Sequence, residues 1–300
     1  MKEKIALDNE KRKSLVFKLT LFVGLSIIFF NALQIIVTGK ITKKSQLEDS
    51  ANDYKVVTQA YSQVISEKIN SYFYAMNFYV NSDMALEGTF DQMRQWLVSQ
   101  EDQRISEFDY IMLSGPDGIA YTDTGKRIDI SDRPYFKAIM QDGKTRFIDD
   151  PVVSRTTGQS VIHVTRAIVR NGKNIGLISG VMQSKHLGEI ISNIKIGNTG
   201  YAFVLADDGT VISHPNRDWI NKRNFLTGYS EGHEDMGELA KKMVSRETGY
   251  AWLKGIYDEL EFISFTPIEG TLWSMAVSIQ QKEIYSTISS MMGKMALFSL

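Results

Sequence analysis

No cysteine occurs in the 300 residues. Disulfides, thiol nucleophiles and cysteine-ligated metals are excluded together. Charge of neither sign predominates: 34 Lys and Arg stand against 35 Asp and Glu. Without a basic surplus, nucleic acid is not an expected partner. The four histidines, His163, His186, His214 and His233, do not stand at metal-ligand spacing from one another. Gly125-Lys126 lacks the preceding glycine and the Ser/Thr of a phosphate-binding loop, and no serine-centred nucleophile elbow is found. No acid, base and nucleophile cluster in the pattern, so the chain reads as a binding module without a cofactor rather than an enzyme.

One long hydrophobic run is present. Leu15 to Val37 has about the length needed to cross ~30 Å of hydrocarbon as a helix. Lys18 near its start can snorkel to headgroups. Lys2, Lys4, Lys11, Arg12 and Lys13 precede the run, against Lys40, Lys43 and Lys44 after it. That asymmetry puts residues 1–14 in the cytoplasm, a membrane helix over 15–38 in a bacterial inner membrane, and residues 39–285 outside. Apolar character rises again from Ile284 to Leu300, with 286–300 read as the start of a second membrane helix.

Between Gln46 and Leu97 there is no proline and little glycine. Val57, Tyr61, Val64, Ile65, Ile69, Tyr72, Phe73, Met76 and Tyr79 recur at mostly three- and four-residue steps, predicting one apolar face of a helix over 45–86. A shorter helix is expected over Phe90–Glu101. Then the period changes. Tyr110–Leu113 and Ile119–Thr122 flank the turn Ser114-Gly115-Pro116-Asp117-Gly118, a strand-turn-strand. A short helix over Asp132–Met140 takes Ser131 or Asp132 as N-cap and Pro134 in its first turn. Ser160–Val169 and Asn174–Met182 form a hairpin, followed by a helix over His186–Asn193. A second strand-turn-strand follows around Asp207-Asp208-Gly209, then a helix near Asp235–Val244 and strands over Gly249–Ile256, Glu261–Pro267 and Trp273–Ile279. The fold class is α+β: a long helix and two tandem antiparallel-sheet units, at about 105–185 and about 195–280.

Several stretches, in this order, carry a resemblance: Asp132-Arg133-Pro134-Tyr135-Phe136, Thr157-Gly158, Gly200 to Gly209, Ser213-His214-Pro215-Asn216 and Thr271-Leu272-Trp273. Over roughly residues 40–285 the chain resembles the double Cache sensors, two PAS-like subdomains hung on a long helix between two membrane helices. The resemblance implies a homodimeric receptor that binds a small molecule in its membrane-distal subdomain. The implied output is most like that of a methyl-accepting chemotaxis protein. A histidine kinase or diguanylate cyclase attached to the same sensor is the alternative, and a tethered extracytoplasmic enzyme a third.

The candidate site is Arg133, Tyr135 and Phe136. A guanidinium presents a planar fork suited to a carboxylate, and aromatic rings beside it make an amphipathic wall. Equally, Arg133 could pair with Asp149 or Asp150 while the rings fill a core. Tyr121 could face pocket or core. Asp149 and Asp150 could take a ligand donor or cap the turn before Pro151. His214 and Trp219, Trp252 and Trp273 are expected to be structural. Amino-acid sensors of the family carry a tyrosine five residues before the arginine, then Arg-x-Trp-Tyr, a further tyrosine and an aspartate. Here Arg133 matches, Tyr135 and Phe136 stand for the Trp-Tyr pair, and Ile128, Val152 and Val181 fall on the remaining positions. Valine cannot compensate a ligand ammonium, and a buried unpaired ammonium is costly. The expected ligand is an organic anion without an amine.

Overall fold

The computed structural model describes residues 2–227, 234–255 and 259–286. His233, Ile256 and residues 287–300 of the expected second membrane segment lie outside the described residues. The chain divides into two compact units, residues 1–52 with 286–300, and Asp53–Tyr285. Helix α1 is Lys2–Val80. In the first of these units Phe17, Leu19, Phe22, Phe29 and Phe30 all point outward. Among the described residues no helix is long and apolar enough to cross a membrane. The side chains of Leu15, Val16, Ile28, Ile35, Ile36 and Val37, which belong to the expected span, are outside that description.

Within Asp53–Tyr285, Ile65, Ile69, Tyr72, Phe73, Met76 and Tyr79 of α1 are buried, as the periodicity predicts. Val64 is exposed. The buried face nearer the start is polar, because Ser62 and Ser66 donate to the carbonyls of Pro267 (2.7 Å) and Glu269 (2.8 Å). Apolar periodicity is blind to such a hydroxyl seam. The long helix stops at Val80, not Leu86. Ser82 accepts from the Ala85 N–H and caps a separate short helix α2 (Asp83–Glu87), since a good N-cap competes with helix continuation. α3 (Phe90–Ser99) opens with a capping box between Thr89 and Gln92.

The first sheet holds seven strands: β1 (Tyr110–Ser114), β2 (Ile119–Thr122), β3 (Arg127–Asp129), β4 (Arg146–Ile148), β5 (Val152–Val153), β6 (Ser160–Arg170) and β7 (Lys173–Gln183). Its order is β3-β2-β1-β7-β6-β4, with β5 pairing β6, all antiparallel. β3, β4 and β5 are two or three residues long, too short to leave a period-2 signal. The β6–β7 turn has positive φ at Asn171 and Gly172, the hairpin geometry that Asn-Gly favours. A Cβ on Gly180 would lie 2.6 Å from the Phe108 ring, so that close approach requires glycine. α4 (Pro134–Met140) covers one face, over a core of Met112, Ile130, Phe136, Ile139 and Leu177.

After α5 (Ser184–Ser192) comes the second sheet: β8 (Tyr201–Leu205), β9 (Val211–Ser213), β10 (Gly249–Lys254), β11 (Leu260–Pro267) and β12 (Ser274–Gln280), in the order β10-β11-β12-β8-β9. α6 (Glu234–Val244) packs over Phe203, Phe225, Phe265 and Ala276. Both sheets share one plan. The first strand lies between the second and the last, and the last pairs with the penultimate. The tandem repeat read from the two Asp-Gly turns is thus a repeat of topology.

Candidate ligand-binding site

On the α4 face of the first sheet a cavity of about 10 Å³ is enclosed by Tyr110, Met112, Ile128, Ile130, Arg133, Tyr135, Arg155, Thr156 and His163. Pro134 at the first helical position sets the entry of α4, which leaves Arg133 just outside the helix, at its N-cap, and Tyr135 pointing in. Neither Ser131 nor Asp132 caps α4. Ser131 binds Asp129, and Asp132 forms a two-pronged ion pair with Arg155 (2.9 and 2.6 Å). The Arg155 guanidinium holds the Asp132 carboxyl below the usual range.

Arg133 donates to the Val153 carbonyl at 3.2 Å and pairs with no acid among the described residues. The Tyr135 ring stacks on His163, with centroids 4.2 Å apart. Burial pushes its phenol well above the ordinary range. His163 is held in turn by Asp149, which accepts from His163 Nδ1 (2.8 Å) and from its backbone N–H (2.6 Å). That orients the ring and uses both carboxylate oxygens. Nothing acidic lines the cavity. Two guanidiniums do.

The segment Ser154–Gly158 closes the mouth. The Tyr110 hydroxyl meets Ser154 Oγ and donates to Thr156 Oγ1, each at 3.3 Å. A volume of about 10 Å³ has room for about one water, so this segment must move to admit an organic ligand.

The structure brings Arg133 and Tyr135 together but not the other three candidates. Phe136 does not line the cavity and lies in the core beneath α4. Tyr121 points to the opposite face of the sheet, where Phe90 meets its ring edge-on and Arg94 lies over it. Asp150 accepts from Trp273 Nε1, just before β12, at 2.6 Å, and desolvation pushes its carboxyl up to about 6. Trp273 is buried as expected, but it serves the contact between the two sheets as well as the core. Val181 is fully buried opposite Tyr110 and His163, and Val152 packs on the same core. Sequence reasoning missed Tyr110, Arg155 and His163. The last is contributed by the middle of a hairpin strand, and only strand register places it beside α4.

A model of the Cache domain family matches residues 42–288. The chemotaxis protein McpC of Bacillus subtilis is 23% identical over 290 residues, covering 89% of this chain and 43% of that protein. The chain therefore spans less than half the length of that curated relative. The ligand-binding domain of the Pseudomonas fluorescens chemoreceptor CtaA with L-isoleucine superposes with a TM-score of 0.65 at 18% identity, covering 82% of this chain and 98% of that one. That of the Pseudomonas aeruginosa amino acid chemoreceptor PctB with L-Arg gives 0.63 at 17%, covering 79% and 98%. With two sheets of one plan on a long helix and a family match across almost all of both, this chain belongs to the Cache domain family.

Proposed function

We propose that the chain is the sensor region of a transmembrane chemoreceptor, and that it binds a small organic anion without an amine in the subdomain built on the first sheet. One observation carries this reading. The cavity beneath Arg133 is lined by two guanidiniums, an oriented histidine and no carboxylate. An ammonium placed there would lose its hydration without gaining an acid. CtaA and PctB are seen with amino acids; here the family's aspartate position holds Val181, and Asp149 is committed to His163. Leu15–Val37 crosses the membrane on this reading, which accounts for side chains such as Phe17, Phe22 and Phe30 that are more than 60% exposed on α1. The receptor works as a homodimer, with an output most like that of McpC. A kinase or cyclase output would leave the sensor chemistry unchanged.

The test is a thermal-shift screen of the full chain in mild detergent. Organic acids, amino acids, amines, purines and sugars are compared on wild type and Arg133→Ala. A ligand bound only to the folded state raises the melting temperature by mass action. An amine-free carboxylate should shift the wild type and not the variant. Micromolar binding of an ordinary amino acid would overturn the reading.

A further inference from the structure

A larger cavity lies elsewhere. It measures about 390 Å³ and runs between one face of α5 and the segment from Ile212 to Asn221 after β9. That volume is within the range of small-molecule sites, roughly 300–1,000 Å³. It is bounded by both subdomains, because Ser160 at the start of β6 forms part of its wall.

Three features make it a built site. The first is His214, 2% exposed, a residue of the cleft wall whose ring stacks on Trp219 with centroids 4.5 Å apart. Its Nδ1 accepts from the Asn216 N–H at 3.0 Å. A ring nitrogen that accepts carries no proton, so in the neutral ring the proton is on Nε2. Nε2 makes no hydrogen bond among the described residues, so its N–H is left for a ligand. Burial holds the ring neutral, its pKa down to about 4. The second is charge. Lys185 on α5 and Arg217 on the opposite wall make no ion pair among the described residues, and Glu189 is the single acid of the lining. The third is backbone. Asn221 sits at a φ of 58° in the left-handed region and donates to Ser160 Oγ (2.9 Å), which also takes the Ser184 hydroxyl (2.9 Å). A non-glycine residue in that conformation is held by its surroundings, and such residues gather at ligand sites.

We propose that this cleft is a second ligand site, taking a hydroxylated organic anion of sugar-acid size. Lys185 and Arg217 receive the carboxylate, the His214 N–H and the Ser160 hydroxyl donate to ligand oxygens, and Glu189 accepts from ligand hydroxyls. Because its walls come from both subdomains, occupancy favours one arrangement of them over another. The site does not depend on the one beneath Arg133.

Gly188 permits a clean test. It lies on α5 in the cleft wall, and a Cβ there meets nothing within 4 Å. Gly188→Leu therefore places its Cβ without a clash and extends an apolar side chain from the cleft wall, and leucine favours the helix over glycine. Calorimetry on the full chain in detergent uses D-gluconate, D-galacturonate and inorganic phosphate as probes. A sugar acid should bind wild type and Arg133→Ala equally. Gly188→Leu should weaken it by roughly tenfold or more at an undiminished melting temperature, and Arg217→Ala should also weaken it. The proposal falls if sugar-acid binding survives Gly188→Leu. It falls if that binding is lost in Arg133→Ala. It falls if neither sugar acid binds at about 10 mM, or if phosphate binds as tightly as the sugar acids.

Discussion

Asp150 is half-buried and His214 buried, and desolvation moves their pKa values in opposite directions. The Asp150 carboxyl is raised to about 6 from an ordinary 3.8, so between those values the folded chain holds a proton that the unfolded chain has lost. Stability from this group falls as pH rises through that window. His214 is lowered to about 4 from 6.5, so over that range the unfolded chain binds the extra proton and stability rises with pH. From pH 4 to about 6 the two oppose each other. Asp150→Asn keeps an acceptor for Trp273 and removes only the falling component. Its melting temperature should therefore climb more steeply than that of the wild type between pH 4 and 6, and exceed it at pH 7. Equal slopes would mean that Asp150 is already charged in the folded protein at pH 5.

At the scale of the element, Arg170 shows how a single side chain joins a strand to a helix. From the end of β6 it donates to the Ala85 carbonyl (2.9 Å) and the Gly88 carbonyl (2.6 Å), at and just past the end of α2. The last carbonyls of a helix have no partner within it. A charge-assisted bond contributes about 1.5–3 kcal/mol, and loss leaves those oxygens dependent on water. Arg170→Met keeps the stem and removes the fork. We expect a loss of about 2 kcal/mol by denaturant titration, with faster amide exchange confined to residues 82–99. Exchange spread evenly over the sheet would locate the role of Arg170 in the core instead.

In the whole sensor unit, Asp53–Tyr285, α1 touches both sheets, with aromatic packing and hydrogen bonds at each, Tyr54 meeting Phe262 at the second. Tyr72 meets Phe108, and Arg166 bonds Asn77. Ser62 and Ser66 reach the carbonyls at the end of β11 and just past it. Replacing both serines by alanine leaves two carbonyls short of a donor, at about 1 kcal/mol each. The double variant should lose roughly 2 kcal/mol and expose the second sheet to exchange before the first. If both sheets open together, the helix does not hold them separately.

Local pattern determined much of this. The apolar face of α1, the Asn-Gly turn, the tandem Asp-Gly turns and the proline opening α4 each reflect a constraint on neighbouring residues, and each stands in the structure where the pattern puts it. So does the placing of Arg133 with Tyr135, because the two stand two positions apart across the N-cap of α4. What tertiary structure decided lies in register and facing. His163 comes beside Tyr135 only because β6 pairs with β7 in one register. Tyr121 turns to α3 rather than to Arg133 because successive strand residues face opposite sides. Asp150 meets Trp273 across 123 positions. No periodicity encodes such pairings, since they arise from how two sheets pack and which buried polar groups then find partners.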